Sequence, residues 1–585
     1  MQGFRRQIGR HHRGGHQTLK QLSMHANLSM TANLNKSAAL PRFRPQLSLV
    51  LLALLVTAAC CGKQTTGPIP PPPLPDPTEL KPVTGDLYHR PHVTLVAVTD
   101  WQGVLKPCGC TVDLQKGGIE RIAKYVDDLR EQDDSVLVVH AGSLLAEQDA
   151  VSGPRAAQLP QRLQAFSEAL ERIQVGAVAL SSFDLDIGGQ TVKNLYEEAK
   201  WPVLALGGGE RHSVRSTMAT TKSGVSVGLV AIDPRAADDD AARNALLGKE
   251  IVGLRSQRVQ IVVVLSNLGL RASRKLARAV PGIDAMVVGQ LDEKIEPELD
   301  LEREGDTLIV HAARHGAWFS ALTLVPSLLE HNWKEVSEFL PGTLEDLDLR
   351  IAAIQKTLTE IKARGTVANA KALPFIESQL ADMQKRRAAA AEAKKRALPA
   401  GALAAYRTIG LPWTAATDPE VAKIVADYDA RVAEANVKAA GEVPKPEAGQ
   451  ASYVGQATCL QCHSEAEDFV AHDMHQHAWA TLEKAGKAKD LDCVACHATG
   501  FGQAGGSNLA HLDGLTNVTC ESCHGPGSLH VSAPSKVKPA TIKPDQAVCT
   551  TCHTTEHAPR FEFLEYRKRL IVPGHGMPLA RAGGK

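Results

Sequence analysis

Cys459-Leu-Gln-Cys462-His463, Cys493-Val-Ala-Cys496-His497, Cys520-Glu-Ser-Cys523-His524 and Cys549-Thr-Thr-Cys552-His553 all fall within residues 459–553. Each is Cys-x-x-Cys-His, the pattern that attaches c-type haem. Two thiols on one helical turn reach the two vinyl groups of one porphyrin, and the next residue presents an imidazole to the iron as proximal ligand. The four copies use eight of the twelve cysteines. Paired Cys-x-x-Cys units also build Cys₄ zinc sites, and a disulfide framework would use the same thiols. Neither reading explains a histidine after the second cysteine every time. Residues 451–585 hold few large apolar side chains. Covalent porphyrin must then supply much of the core, and a mainly helical and irregular module that does not fold without haem is expected.

This module carries eleven of the 22 histidines. Beyond the proximal four they are His472, His475, His477, His511, His530, His557 and His575. Tyr453-Val454-Gly455, His477-Ala478-Trp479-Ala480, Thr499-Gly500, the run from Val518 to Pro526, Gly527-Ser528-Leu529-His530 and the late His575 surround the four motifs. In these residues the module resembles the tetrahaem cytochromes of the hydroxylamine-oxidation pathway. The resemblance implies three distal histidines and one haem with an open axial position. It carries the distal roles to His477, His530 and His575, with His475 competing for the place of His477. The haem on His497 is the one it leaves with no matched distal ligand, while His472, His511 and His557 are expected in solvent. Bis-histidine iron has no free site and passes single electrons; an open site permits ligand binding or small-molecule reduction.

Upstream, residues 46–59 are a short apolar run ending at Cys60, preceded by Lys36, Arg42 and Arg44. A basic region, a short apolar core and small residues before a cleavage point make a secretory signal. The run is short for a membrane-spanning helix. Thr57-Ala58-Ala59-Cys60 resembles a bacterial lipobox, although leucine is more usual at its first position; it implies acylation at Cys60 and a mature chain tethered by lipid. An uncleaved anchor would give the same topology. The polar stretch before Met24 and Met30 suggests that translation starts at one of these. Residues 61–91 form a linker in which eight prolines lie between Pro68 and Pro82, an extended and semi-rigid spacer. Residues 1–60 hold eight Lys and Arg and no acid; the remainder sets 57 basic against 64 acidic residues. That balance, with aromatics at 4%, disfavours nucleic acid and suits a basic redox partner. Export agrees with haem attachment outside the bacterial cytoplasm.

Between the tether and the haem module, residues 92–326 alternate apolar runs with helical patterns. Strands are expected at 93–98, 136–139, 177–180, 203–206, 225–232, 261–265, 285–288, 308–311 and 319–325. Most runs are continuous rather than alternating, so they are buried on both faces, as in layered α/β folds. The order of motifs resembles the calcineurin-like metallophosphoesterases, specifically the catalytic domain of 5′-nucleotidases. Asp100 to Gly103 stands where that family has Asp-x-His-Gly, and Gly117-Gly118-Ile119-Glu120-Arg121 matches its Gly-Gly-x-x-Arg. His140 to Ser143 stands for Asp-x-Gly-Asp, Ser181-Ser182-Phe183-Asp184 for Gly-Asn-His-Glu, Asn267-Leu268-Gly269 for His-x-Gly, and Gly289-Gln290-Leu291-Asp292 for Gly-His-x-His. Two adjacent metals need a dense set of carboxylates and imidazoles. Of the family's ligands only Asp100 stands unchanged, so no dinuclear metal and no phosphoesterase activity are expected. Cys108-Gly109-Cys110 is extra to the pattern: a redox pair or soft-metal site, which His140 could join, or a loop disulfide.

Leu344, Leu347, Ile351, Ile354, Leu358 and Ile361 step by threes and fours along one helix, a coiled-coil seam. A second helix is expected to open after Pro374, with Ile376, Leu380 and Met383 on one face. Residues 327–440 thus read as a helical hairpin, either a contact arm or a packing appendage, followed by a helix that Asp418-Pro419 caps. The expected protein is a lipid-anchored, periplasm-facing cytochrome carrying four haems c, with a disabled phosphoesterase-like domain and redox proteins as partners. The alternatives are a haem oxidoreductase acting on a nitrogen or sulfur compound, and an active 5′-nucleotidase-like phosphoesterase.

Overall fold

The computed structural model describes residues 86–106, 116–145, 158–207, 213–291, 300–328, 330, 332–364, 367–554, 558 and 561–579. Cys60 with the leader and most of the linker, Cys108, Cys110, Asp292 and His557 lie outside them.

Chain order begins β1 (Val93–Thr99), α1 (Ile119–Arg130), β2 (Val136–Ala141), α2 (Leu159–Ile173), β3 (Ala177–Ala179), α3 (Ser182–Glu198) and β4 (Val203–Leu204). It continues with β5 (Ser216–Thr220), β6 (Ser226–Ile232), α4 (Asp240–Ser256), β7 (Ile261–Ser266), α5 (Gly269–Ala279) and β8 (Ala285–Val288). Then come β9 (Glu302–Glu304), β10 (Thr307–Val310), β11 (Trp318–Val325) and β12 (Lys334–Glu335), α6 (Thr343–Arg364), α7 (Val367–Ala393), β13 (Leu403–Gly410) and α8 (Pro419–Ala439). One sheet has the order β12-β13-β11-β1-β2-β3-β4, the other β5-β6-β7-β8-β10-β9.

The continuous apolar strands have a plain physical reason. Successive side chains point to opposite faces, and here both faces are covered. Val93, Leu95 and Ala97 of β1 meet Val227, Leu229, Val263 and Leu265 of the second sheet in one core between the sheets. Val96 and Val98 point the other way, into a core with Ile122, Phe166, Leu170, Val425 and Tyr428 of α1, α2 and α8. Val230, Ile232, Val262 and Val264 pack against Leu247, Ile251 and Leu276 of α4 and α5. The result is four layers, helix, sheet, sheet and helix.

β5, β9 and β12 lie where no strand is expected from the sequence, and two further differences fall in the stretch read as helical. Residues 403–410, inside the stretch read as helical, form β13, which pairs antiparallel with the whole of β11, from Trp318 opposite Gly410 to Val325 opposite Leu403. Tyr406, Thr408 and Ile409 favour a strand, but the segment is short and lies among helical patterns; pairing with β11 fixes it as a strand. The second hairpin helix begins at Val367, so Pro374 lies inside it rather than before it. Leu347, Ile351, Ile354 and Ile361 meet Ile376, Met383 and Ala390 in a core of their own. Arg386 ties the hairpin to Asp300 through two bonds of 2.7 and 2.9 Å.

The C-terminal region contains short helices: α9 (Gln456–Leu460), α10 (Glu467–His472), α11 (Ala478–Ala485), α12 (Leu491–His497), α13 (Cys520–His524), α14 (Ser528–Ser532), α15 (Gln546–Thr550) and α16 (Phe563–Leu570). Its buried apolar cluster is small and centres on Leu482, Val494 and Leu509. Among the described residues no helix is long and apolar enough to cross a membrane.

Candidate haem site

At the carboxyl ends of β1 and β2, the residues that stand at the metallophosphoesterase motif positions are absorbed into the protein's own hydrogen bonding. The Asp100 carboxylate accepts from the backbone N–H of Ser143 and Gln290, both at 3.0 Å. Asp184 accepts from Ser143 Oγ at 2.5 Å and from the N–H of Leu144 at 2.8 Å. Asn267 accepts from Gly142 N at 2.7 Å and donates to Leu180 O at 2.9 Å. Gly142 has φ +88° and a side chain there would strike Asp100. Burial pushes both carboxyls up to about 6, against the pull of these donors. His140 is buried with neither ring nitrogen hydrogen-bonded, and burial takes it down to about 3. Its ring lies parallel to Trp101 at 5.5 Å. A neutral imidazole stacked on indole is core packing, and both carboxylates are hydrogen-bonded to groups of the protein itself.

The C-terminal cysteines occupy a different kind of space. One cavity of about 2320 Å³ is lined by all eight motif cysteines and by His463, His497, His524 and His553. Single ligand pockets hold about 300–1,000 Å³, so this one has room for several large groups. The eight thiols form no disulfide. Cys520 Sγ lies 3.9 Å from Gln456 Oε1 beside the first motif, Cys496 Sγ lies 4.0 Å from Thr551 O of the fourth, and burial together with the nearby Cys549 and Cys552 pushes the Cys523 thiol up. In space, then, the motifs run from that of His463 to those of His524, His553 and His497, which is not their order in the chain.

Local bonds explain this arrangement. Glu521, between the cysteines of the third motif, is buried. It accepts from Gly455 N at 2.8 Å, Gly527 N at 2.8 Å and Val454 N at 3.0 Å, holding the start of α9 against α13. The same contact explains Tyr453-Val454-Gly455. Gly500 has φ +64°, and a Cβ there would meet the Tyr453 ring at 2.7 Å. Thr499 Oγ1 bonds Asn517 O at 2.8 Å and Thr519 Oγ1 at 2.9 Å, tying the second motif to the third.

Three proximal imidazoles each face a second imidazole. His463 and His530 have ring centroids 6.5 Å apart at 26°, His475 and His553 6.1 Å at 80°, and His524 and His575 6.2 Å at 80°. Two imidazoles on opposite sides of one metal stand roughly 6 Å apart, given metal–nitrogen bonds of about 2 Å. The separations therefore fit a metal held between each pair. Nδ1 of His497, His524, His530 and His575 lies 2.6 Å from the carbonyl oxygens of Ala478, Thr541, Val537 and Leu570 respectively. A carbonyl only accepts, so Nδ1 carries the hydrogen and Nε2 keeps its lone pair, the state a metal ligand needs. His475 instead has Asp473 Oδ2 at 3.1 Å from Nδ1, a bond that raises its affinity for a proton in spite of burial. The structure brings His475 opposite a proximal ring, whereas the sequence reading carried that role to His477 with His475 as competitor; both lie on the turn Met474–His477.

One wall of the cavity belongs to the layered domain. Gln102, Val104, Leu105, Leu145, Arg162, Trp413 and Tyr428 line it together with the motif residues. A polar seam locks this junction. Gln158 accepts from Leu491 N at 3.1 Å and from Asn436 Nδ2 at 2.5 Å, and donates to Asp490 at 3.2 Å. Asp490 caps α12 by accepting from Asp492 N at 3.0 Å, so the helix that carries the second motif is anchored at its start by α2 and α8. Arg162 pairs with Asp492. Lys487 pairs with Asp429 at 2.7 Å and Asp490 at 2.9 Å. Burial would raise Asp490, but Lys487 and Arg162 hold it below the usual carboxylate range. Sequence reading missed Gln158, Arg162, Asp473 and Glu521; each acts on residues far away or on a turn, where no short motif marks it.

Comparison with known proteins agrees with the C-terminal resemblance. The family profile described as Cytochrome c554 and c-prime matches residues 458–525. Cytochrome c-554 of Nitrosomonas europaea is 38% identical over 96 residues, 14% of this chain and 41% of that protein. The chain thus spans less than half the length of this curated relative. Among solved structures, the 5′-nucleotidase precursor of Thermus thermophilus aligns with a TM-score of 0.39 at 15% identity, covering 68% of each chain. The calcineurin-like phosphoesterase YfkN of Bacillus subtilis aligns with a TM-score of 0.31 at 14% identity, covering 49% of this chain and 99% of that one.

Proposed function

We propose that this protein is a tetrahaem electron-transfer cytochrome whose layered α/β domain is a permanent wall for one end of the haem chain. The observation that carries the reading is the set of three facing imidazole pairs inside a single cavity lined by all eight motif cysteines. Bound haem c would supply one-electron transfer at its iron. The chain's residues do the rest. Cys459 and Cys462, Cys493 and Cys496, Cys520 and Cys523, and Cys549 and Cys552 attach the groups. His463 with His530, His524 with His575, and His553 with His475 would offer imidazole nitrogens to the iron, and His497 would offer the nitrogen of the second motif. His475 replaces His477 in this assignment.

The contacts of the motif cysteines support a path from the first motif through the third and fourth to the second. The first end has Cys462 exposed, while at the second Arg162 of the layered domain pairs with Asp492, the residue before Cys493. Electrons therefore enter or leave by direct protein docking at the first end, and an acidic body suits a basic partner there. The layered domain works without a dinuclear metal, because Asp100, Asp184 and Asn267 are committed to internal hydrogen bonds. Acylation at Cys60 would hold the protein to a membrane of the bacterial envelope, facing the periplasm. The test is a pyridine haemochrome assay on purified full-length protein, with metal analysis. Four covalent haems and no stoichiometric manganese or zinc are expected; a colourless denatured chain, or zinc at the thiols, removes the reading.

A further inference from the structure

The axial imidazoles differ in what their second nitrogen touches. Four of them lie 2.6 Å from a main-chain carbonyl oxygen. His475 instead has the carboxylate of Asp473, at 3.1 Å from Nδ1. That pair is sheltered, with side-chain exposures of 33% for His475 and 15% for Asp473. His463 also has a carboxylate nearby, Glu465, but at 3.5 Å and with both side chains about half exposed, at 57% and 47%. Water screens that contact, and its length exceeds a good charge-assisted bond.

Resting on the haem reading above, we propose that Asp473 is a positioning residue that sets the redox potential of the group attached at Cys549 and Cys552. A ring N–H donated to a carboxylate gives the imidazole more electron density at Nε2 than one donated to a carbonyl, and so raises its basicity as a ligand. Ferric iron carries one more positive charge than ferrous iron. A more basic axial nitrogen, together with the carboxylate's own charge at close range in a partly desolvated site, stabilises the oxidised state more than the reduced one. The fourth motif is thereby held at a lower potential than it would have with a carbonyl-bonded ligand. The local backbone explains why this residue stands here. Asp473 closes α10 by donating its N–H to Phe469 O at 3.0 Å, and its own carbonyl accepts from Gln476 N at 3.1 Å. The turn thus brings the Asp473 and His475 side chains together. Such a relation between residues two apart has no sequence signature of its own.

The experiment is a redox titration of the full-length, haem-loaded protein, followed optically and by electron paramagnetic resonance. Asp473→Asn keeps an oxygen acceptor in place and removes the charge. It is expected to shift one one-electron step upward by about tenfold in the oxidised-to-reduced equilibrium, about 59 mV. Asp473→Glu, which keeps the charge, should move that step less, and Glu465→Gln should leave every step in place. No movement in Asp473→Asn, or an equal movement of all steps, overturns the inference, as does an Asp473→Glu variant that matches Asp473→Asn. In the unaltered protein, the hyperfine-shifted Nδ1 proton of one axial imidazole should stand apart from the carbonyl-bonded set. A uniform set overturns the inference even where the variants do not assemble. A haemochrome count on the same samples separates the two ideas. Fewer than four haems in the unaltered protein breaks the site assignment and this inference with it. Four haems with an unmoved step breaks only the role of Asp473.

Discussion

The layered domain and the cysteine-rich region solve the same problem with opposite means. In the first, β1, β2, β6 and β7 are buried along nearly their whole length, and three apolar cores account for the packing. In the second, the apolar cluster centres on three buried side chains, and a cavity of about 2320 Å³ runs through the middle. What organises the second region is polar: Glu521 on three backbone N–H groups, Thr499 on Asn517 and Thr519, imidazoles on carbonyls. A fold of the first kind is complete in its own side chains. A fold of the second kind is a frame, and its interior must come from what the cysteines attach.

The sharpest way to break that comparison is to withhold haem attachment. Chain produced without the attachment machinery should lose residues 451–585 to limited proteolysis while residues of the layered domain survive, because only the latter holds its own apolar core. A protected C-terminal region in colourless protein would put the two regions on equal terms. Next in size is the seam between them. Lys487→Ala removes the ammonium from beside Asp490 and Asp429, whose side chains are 7% and 9% exposed. Breaking a buried ion pair costs at most about 3–5 kcal/mol, and less here because Lys106 still pairs with Asp429 at 2.6 Å and Gln158 still donates to Asp490; the thermal midpoint should fall and cleavage near residue 440 should accelerate. A midpoint that does not move would mean that the two regions do not depend on one another.

A third prediction concerns pH. Asp100 and Asp184 have folded values raised from 3.8 to about 6 by burial. The folded chain therefore binds more protons than the unfolded chain between about pH 4 and pH 6, and stability rises as pH falls through that window. From pH 7 to pH 5 each carboxyl should add on the order of 1 kcal/mol, read as a rising unfolding midpoint of the layered domain. A metal-loaded site predicts the reverse, since acid would strip its ligands; a falling midpoint favours that reading. Asp490 has the opposite sign. Its folded value is depressed, so its contribution is present above about pH 4 and is lost as pH falls through the lower folded value.

The smallest expected effect separates two histidines. His475→Met should replace one nitrogen ligand by sulfur and raise one potential, whereas His477→Ala should leave the axial set and all potentials in place. Paramagnetic resonance sharpens the same point. Facing rings at 26° for His463 and His530 predict one rhombic low-spin signal, and rings at 80° for the other two pairs predict strongly anisotropic ones. Three alike signals would contradict the geometry.

The four Cys-x-x-Cys-His motifs were legible because covalent attachment dictates local spacing, one turn of helix for two thiols and an imidazole. The buried strands were legible because continuous runs such as Ile261–Ser266 have no other economical place in a folded chain. The start of α7 was misplaced because proline is usually a boundary, and here the helix tolerates it. β13 was missed because Leu403–Gly410 follows two long helices, and its partner β11 lies on their far side in the chain.

By itself the sequence determined which residues can hold porphyrin and which strands are buried on both faces, since both follow from chemistry between near neighbours. The tertiary structure alone decided which imidazole faces which, the spatial order of the motifs, and that Gln102, Arg162 and Tyr428 of one region wall the cavity of the other. Those relations join residues up to several hundred positions apart, or set His475 rather than His477 opposite His553 within a single turn. Distances through space set them, and no spacing along the chain encodes a distance of that kind.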